Sequence, residues 1–268
     1  HPSTANNNEQ PDEVHDEPTT QTEEQLQQQE ELPSPPPIRV SFRYFARNNR
    51  IPLVSSILFP IAQQLSGINA VFYYSTLFFD GVIANPIQGT ILAFTVNVVA
   101  TVGALLIMDR FGRKTLLAWS AWGMAGGCFF LTLLLLKILS PIITVLCVLL
   151  YISFFEVGLG CIPFFLASEL IQPQFLGTVQ SMAMASNWFS NFCVGLLFPA
   201  MDKYLGAYSF VPFAPVLVGT GGYAIWVLPE TRGKSLDMVL AELREQQEQQ
   251  HHELLVAQND EISRNEVV

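Results

Sequence analysis

Between positions 63 and 76 the chain reads QQLSGINAVFYYST. The groups there that can do chemistry are three amides (Gln63, Gln64, Asn69), two phenols (Tyr73, Tyr74) and the hydroxyls of Ser66, Ser75 and Thr76. An amide donates and accepts hydrogen bonds at once, and an aromatic face covers apolar C–H groups. On an unbroken helix Gln63 and Gln64 point 100° apart, so one straight face cannot gather all three amides. Gly67 lies between them and lowers the cost of unwinding. A break there turns Gln64 and Asn69 toward one cavity, the way discontinuous membrane helices build ligand sites. The competing reading is that the amides hydrogen-bond packed helices to one another.

Further polar groups stand in equally apolar surroundings. Asn97 is one; Asn187 and Asn191 are four apart on one helix face, with Trp188 beside them. Glu156 is an ionisable group deep in an apolar run, and EVGLGCIP (156–163) places two glycines and a proline where they should loosen a helix. No fixed cluster of charge accompanies these residues, so the inventory suits a neutral polyol better than an amino acid, a nucleotide or a metal ion. All four histidines lie in the tails, and neither GxSxG nor HExxH occurs, which argues against an enzyme and implies no cofactor.

The elements that must hold these groups are visible in the hydropathy. Half of the 268 residues are hydrophobic and 13% are charged, against about 25% charged in ordinary soluble domains. Six apolar runs, near 51–79, 87–108, 115–136, 142–167, 175–200 and 206–228, each have the length of a membrane-crossing helix. Arg39, Arg43, Arg47 and Arg50 precede the first. Arg110, Arg113 and Lys114 follow the second. Arg232, Lys234, Arg244 and Arg264 follow the sixth. Only Lys137 and Lys203 fall on the other side, so the cation bias puts both termini in the cytoplasm. Residues 1–37, with nine acidic residues and no Lys or Arg, read as a disordered acidic tail, 38–50 as a basic cytoplasmic linker and 231–268 as a cytoplasmic tail. No basic patch invites nucleic acid. Cys128, Cys147, Cys161 and Cys193 sit singly in apolar runs and read as small buried hydrophobes.

Five stretches then fall in a recognisable order: QQLSGINAVFYYST (63–76), DRFGRKTLL (109–117), FFEVGLGCIPFFLASEL (154–170), SNWFSNFCVGLLFP (186–199) and PETRGKSLD (229–237). Over about 40–237 the chain resembles the C-terminal half of a sugar porter of the major facilitator superfamily, of the animal facilitative glucose transporter type. The resemblance implies an all-α membrane protein whose six helices over 51–230 form one half of the twelve-helix fold. It implies facilitative hexose transport by alternating access, in a plasma membrane, with a monosaccharide between this half and an N-terminal six-helix half that the sequence lacks. A piece of a longer carrier is therefore expected.

The resemblance places sugar contacts at Gln63, Gln64, Asn69, Asn97, Glu156, Phe164 and, peripherally, Asn191. It places the extracellular gate at Tyr73 and Tyr74, and cytoplasmic ion pairs among Asp109, Arg110, Arg113, Glu169, Glu230 and Arg232. The chain departs from the family pattern after Glu156: Leu159 and Cys161 stand for prolines, and Phe164 for a tryptophan. The alternatives are a proton-coupled sugar or polyol carrier and a non-transporting half that senses sugar.

Overall fold

In the computed structural model the described residues are 42–79, 85–245 and 249. The expected tail over 1–37 lies outside them, as does nearly all of the chain after 245. Among the described residues there is no strand; the apolar runs are helical.

The first run is divided. Helix α1 (Phe42–Asn48) occupies the expected basic linker, α2 spans Arg50–Leu65, α3 Ile68–Tyr73 and α4 Ser75–Phe79. The linker is helical because one face of α1 finds a partner: Phe45 is buried, its ring stacked on Phe175 at 4.3 Å. Between α2 and α3 the backbone turns through Gly67 at φ 83°. A Cβ on Gly67 would lie 2.6 Å from the Phe213 ring, so glycine is demanded both by the left-handed backbone and by the close approach.

Helices α5 (Pro86–Phe111), α6 (Arg113–Leu135), α7 (Pro141–Phe155), α8 (Ile162–Leu170), α9 (Pro173–Leu205) and α10 (Phe213–Trp226) follow. Proline opens α5, α7 and α9, where its missing N–H costs nothing. Asn85 caps α5, its Oδ1 accepting from the Ile87 N–H at 3.1 Å. The loosening expected in EVGLGCIP takes the form of a π-helical turn, Glu156–Gly160, between α7 and α8. That turn packs against α6 so closely that a Cβ on Gly158 would lie 2.4 Å from the Leu116 carbonyl oxygen.

Arg50–Tyr73, Pro86–Phe111, Arg113–Leu135 and Pro141–Leu170 are each long and apolar enough to cross a membrane. The fifth and sixth runs reach that measure as a pair, Pro173–Tyr208 with Phe213–Trp226, bent by 97°. The last helix is shorter than the apolar run 206–228 because Gly206 takes φ 53° and residues 206–208 form a 3₁₀ turn, leaving α10 with 14 residues. A short helix, 236–245, follows within the expected C-terminal tail.

In the bundle α2 packs on α9 and α8, α6 packs on α10 and α7, and α5 lies against α7 and the π-turn. Only 11% of the apolar window of α5 is buried, and Phe94, Val98, Val102 and Leu106 stand exposed on it. On α9 the same holds for Trp188, Phe189, Phe192 and Leu196.

Candidate functional site

The polar groups of the spans meet in two networks. The first joins α2, α3, α9 and the π-turn. Gln63 is 2% exposed, and its Nε2 donates to the Leu159 and Gly160 carbonyls at 2.6 and 2.9 Å. The π-turn supplies these acceptors, since its irregular backbone leaves carbonyls turned away from helical partners. The Oε1 of Gln63 accepts from Asn187 Nδ2 at 2.6 Å, and that same nitrogen donates to the Pro60 carbonyl at 3.0 Å. Asn187 Oδ1 in turn accepts from Gln64 Nε2 at 3.0 Å. Asn69 Nδ2 closes the chain by donating to Gln64 Oε1. The break at Gly67 makes this last bond possible by bringing a residue of α3 back over the end of α2.

The second network centres on Glu156, which is 5% exposed. Its Oε1 accepts from Asn97 Nδ2, and its Oε2 from the Thr101 hydroxyl at 2.8 Å. Cys161 Sγ lies 3.9 Å from the same Oε2. Gly160 leaves room for the carboxylate: a Cβ there would lie 2.6 Å from Oε2.

The two networks differ from the single open cavity expected for the amides. Gln63, Gln64 and Glu156 are buried, with their polar atoms engaged inside the protein, because a membrane interior gives an unpaired amide nothing else to bond. Asn69 and Asn97 are half-buried and stand at the rim of the two networks. Each spends one N–H inward, and among the described residues neither Oδ1 accepts a hydrogen bond. Phe164 is exposed and lines a small hollow with Gln63, Gln180, Met184 and Asn187.

Toward the other end of α3 the two tyrosines part company. The exposed Tyr73 donates through its hydroxyl to Asn191 Oδ1 at 3.1 Å, and the pair lines a concavity of about 350 Å³ with Trp188, Phe192, Gly195 and Leu196. Tyr74 is half-buried, its ring 5.1 Å from that of Phe198.

The charged end of the bundle gathers Asp109, Arg113, Glu169 and Glu230. Arg113 Nε meets Glu169 Oε1 at 3.0 Å, and its Nη1 meets Asp109 at 3.5 Å. Glu230 Oε1 accepts the backbone N–H of Arg113 at 3.0 Å, capping α6, and that of Arg232 at 3.1 Å. Arg110 and the side chain of Arg232 make no ion pair among the described residues.

Thr101 and Thr231 were not among the expected site residues, and Asn187, singled out with Asn191 as a polar group of its span, was given no sugar contact. Thr231 donates to Glu169 Oε2 at 2.5 Å. Thr101 had a signal available, since it lies four residues after Asn97 and shares its face. Nothing local marks Thr231.

With the geometry in place, the comparisons with known proteins decide the family. The family model described as "Sugar (and other) transporter" matches residues 3–242. The chain belongs to this sugar transporter family. Among curated relatives, the solute carrier family 2 facilitated glucose transporter member 3 of Oryctolagus cuniculus is 43% identical over 197 residues, covering 72% of this chain and 40% of the relative. The Homo sapiens protein of the same description is 40% identical over 196 residues, covering 70% and 39%. Among solved structures, the major facilitator superfamily proton:xylose symporter XylE bound to 6-bromo-6-deoxy-D-glucose matches with a TM-score of 0.64 at 30% identity, over 70% of this chain and 42% of that one. An inward-open XylE from E. coli matches with a TM-score of 0.63 at 30% identity, over 71% and 41%.

These matches bear out the resemblance read from the motifs. The chain belongs to the sugar porter family, of the animal facilitated glucose transporter type, and is a multi-pass membrane protein whose helices match part of the major facilitator fold. This sugar porter chain spans about two fifths of the length of the curated relatives it matches.

Proposed function

We propose that this sugar porter chain supplies the C-terminal wall of a carrier that moves a hexose down its gradient by alternating access, without enzymatic chemistry. The observation that carries the reading is the rim made by Asn69 and Asn97. Each is held by a buried partner, Gln64 or Glu156, and each presents an unspent carbonyl oxygen. An oriented pair of acceptors on a polar wall suits hydroxyl donors, and a neutral wall neither demands nor repels charge.

In this reading the other wall is an N-terminal six-helix half, and the monosaccharide sits between the two. Gln63, Gln64, Asn187 and Glu156 hold the surface rigid, while Asn69, Asn97, Phe164 and Asn191 contact the sugar. Tyr73, on the segment beyond the Gly67 break, gates the extracellular side, with Tyr74 packed behind it on α9. The cluster of Asp109, Arg113, Glu169 and Glu230 ties together the cytoplasmic ends of α5, α6, α8 and α10 so that the half moves as one body. Both termini are cytoplasmic, and the membrane is the plasma membrane. The relatives described as facilitated glucose transporters favour uniport over proton coupling.

The test is uptake of a labelled hexose by the longer carrier that contains this chain, in cells lacking hexose carriers of their own. Flux should follow the sugar gradient and survive collapse of the proton gradient. It should fall at least about tenfold in Asn69→Ala and in Asn97→Ala at unchanged surface expression, the scale of one lost directional hydrogen bond in a desolvated site. Undiminished uptake by both variants would remove the site assignment.

A further inference from the structure

One buried phenol has no place in the sugar wall. Tyr151, on α7, is fully buried, and its hydroxyl donates to the Ser66 carbonyl at 2.5 Å. Ser66 is the residue at which the first span breaks. A helix break strands backbone groups that lipid cannot satisfy. Within the turn the Ser66 hydroxyl donates to the Gln63 carbonyl at 2.6 Å and accepts from the Ile68 N–H at 3.4 Å, and the Gly67 N–H donates to the Gln64 carbonyl at 3.2 Å, while the Gly67 carbonyl takes the first helical bond of α3 from the Val71 N–H at 3.2 Å. The Ser66 carbonyl receives no backbone donor among the described residues, and Tyr151 reaches it from another helix.

The surroundings are shaped for this phenol. Gly127 on α6 makes room for the ring: a Cβ there would lie 2.6 Å from Tyr151 Cδ2. Phe210 stands edge-on to the ring at 6.4 Å, and Cys128 Sγ lies 3.8 Å from the hydroxyl. Phe213 of α10 packs its ring against Gly67. The break is thus held by Tyr151 of α7 and Phe213 of α10, with α6 seating the Tyr151 ring, and none of these helices supplies a group to the rim.

We propose that Tyr151 is a positioning residue that clamps the Ser66–Gly67 break through the Ser66 carbonyl, fixing the angle at which α3 carries Asn69 to Gln64 and Tyr73 to Asn191. Its link to sugar rests on the transport reading; the clamp does not. Loss of the hydroxyl frees α3 to swing while the helices on either side stay packed.

Hydrogen exchange followed by mass spectrometry on the 268-residue chain in detergent tests this without any sugar. In Tyr151→Phe the amides of 66–72 should exchange about tenfold faster, the worth of one hydrogen bond, with α6, α9 and α10 unchanged. Cys128→Ala, which removes the hydroxyl's other neighbour, should leave the break as slow as in the parent. Where Tyr151→Phe yields no folded protein, Gly127→Ala displaces the ring and should give the same local acceleration. Unchanged exchange at 66–72, or acceleration spread evenly over all the helices, overturns the clamp. In the longer carrier, Tyr151→Phe should also shift the half-saturation for sugar entry relative to exit. A loosened break in a protein that moves no sugar upholds the clamp and counts against transport alone.

Discussion

Asn187 Nδ2 lies 2.6 Å from Gln63 Oε1, and this contact joins the broken first span to α9. Both residues are buried, at 4% and 2% exposure, and each also holds a backbone carbonyl, so the pair is a strut beneath the polar wall.

Removing the strut should therefore cost stability. Asn187→Leu leaves Gln63 Oε1, Gln64 Nε2 and the Pro60 carbonyl short of a partner, and should destabilise the chain by about 1–3 kcal/mol. Asn191→Leu loses only the exposed bond from Tyr73 and should cost under about 1 kcal/mol. Thermal unfolding of both variants in one detergent makes the comparison; equal losses would contradict the strut.

Gln63 and Asn69 should separate stability from transport. Gln63→Ala unpairs the Leu159 and Gly160 carbonyls of the π-turn and should lower folded yield and melting temperature. Asn69→Ala removes one half-buried donor and should leave the melt within a few degrees while cutting hexose uptake at least about tenfold. The pair of measurements, melt and uptake, should rank the two variants in opposite orders.

At the charged end Gly112 has φ 80°, and a Cβ there would lie 2.5 Å from Glu230 Oε2. Gly112→Ala combines the strain of a positive-φ, extended-ψ backbone that only glycine adopts readily, about 1–3 kcal/mol, with displacement of the carboxylate that caps α6. Glu230→Gln in the Gly112→Ala background should cost less than in the parent, because the cap is already displaced. A double-mutant cycle on the melting free energies checks this.

The Arg113–Glu169 pair is partly open to solvent, with side chains 17% and 24% exposed. Its coupling should be modest, about 0.5–1 kcal/mol, and should shrink as salt rises. Glu169→Ala should cost at least as much as Arg113→Ala, since it also strands the buried Thr231 hydroxyl, whereas the arginine's further contacts to Asp109 and the Met108 carbonyl are long, at 3.5 Å each. A salt-independent coupling would mean that the pair is shielded from water more than its exposure indicates.

What the sequence determined by itself was the class and the elements. Length and hydropathy of the runs dictate membrane helices because lipid tolerates no unpaired backbone. Gly67 and EVGLG mark their own irregularities because glycine is the cheapest place for a helix to break. Order and spacing of the five motifs identified the family, and the pairing of Arg113 with Glu169 could be expected from them.

The tertiary structure alone decided which polar groups face inward. Gln63 and Asn69 look alike in sequence, as buried amides in an apolar run. Only the packing of α2 against the π-turn and α9 turns one into a strut and leaves the other at the rim. Tyr151 likewise reads as one more aromatic in a hydrophobic helix until Gly127 and the stranded Ser66 carbonyl are brought to it from residues far away in the chain. Periodicity records the face on which a side chain lies. Its hydrogen-bond partner depends on which helix packs against that face, and that is a property of the whole bundle.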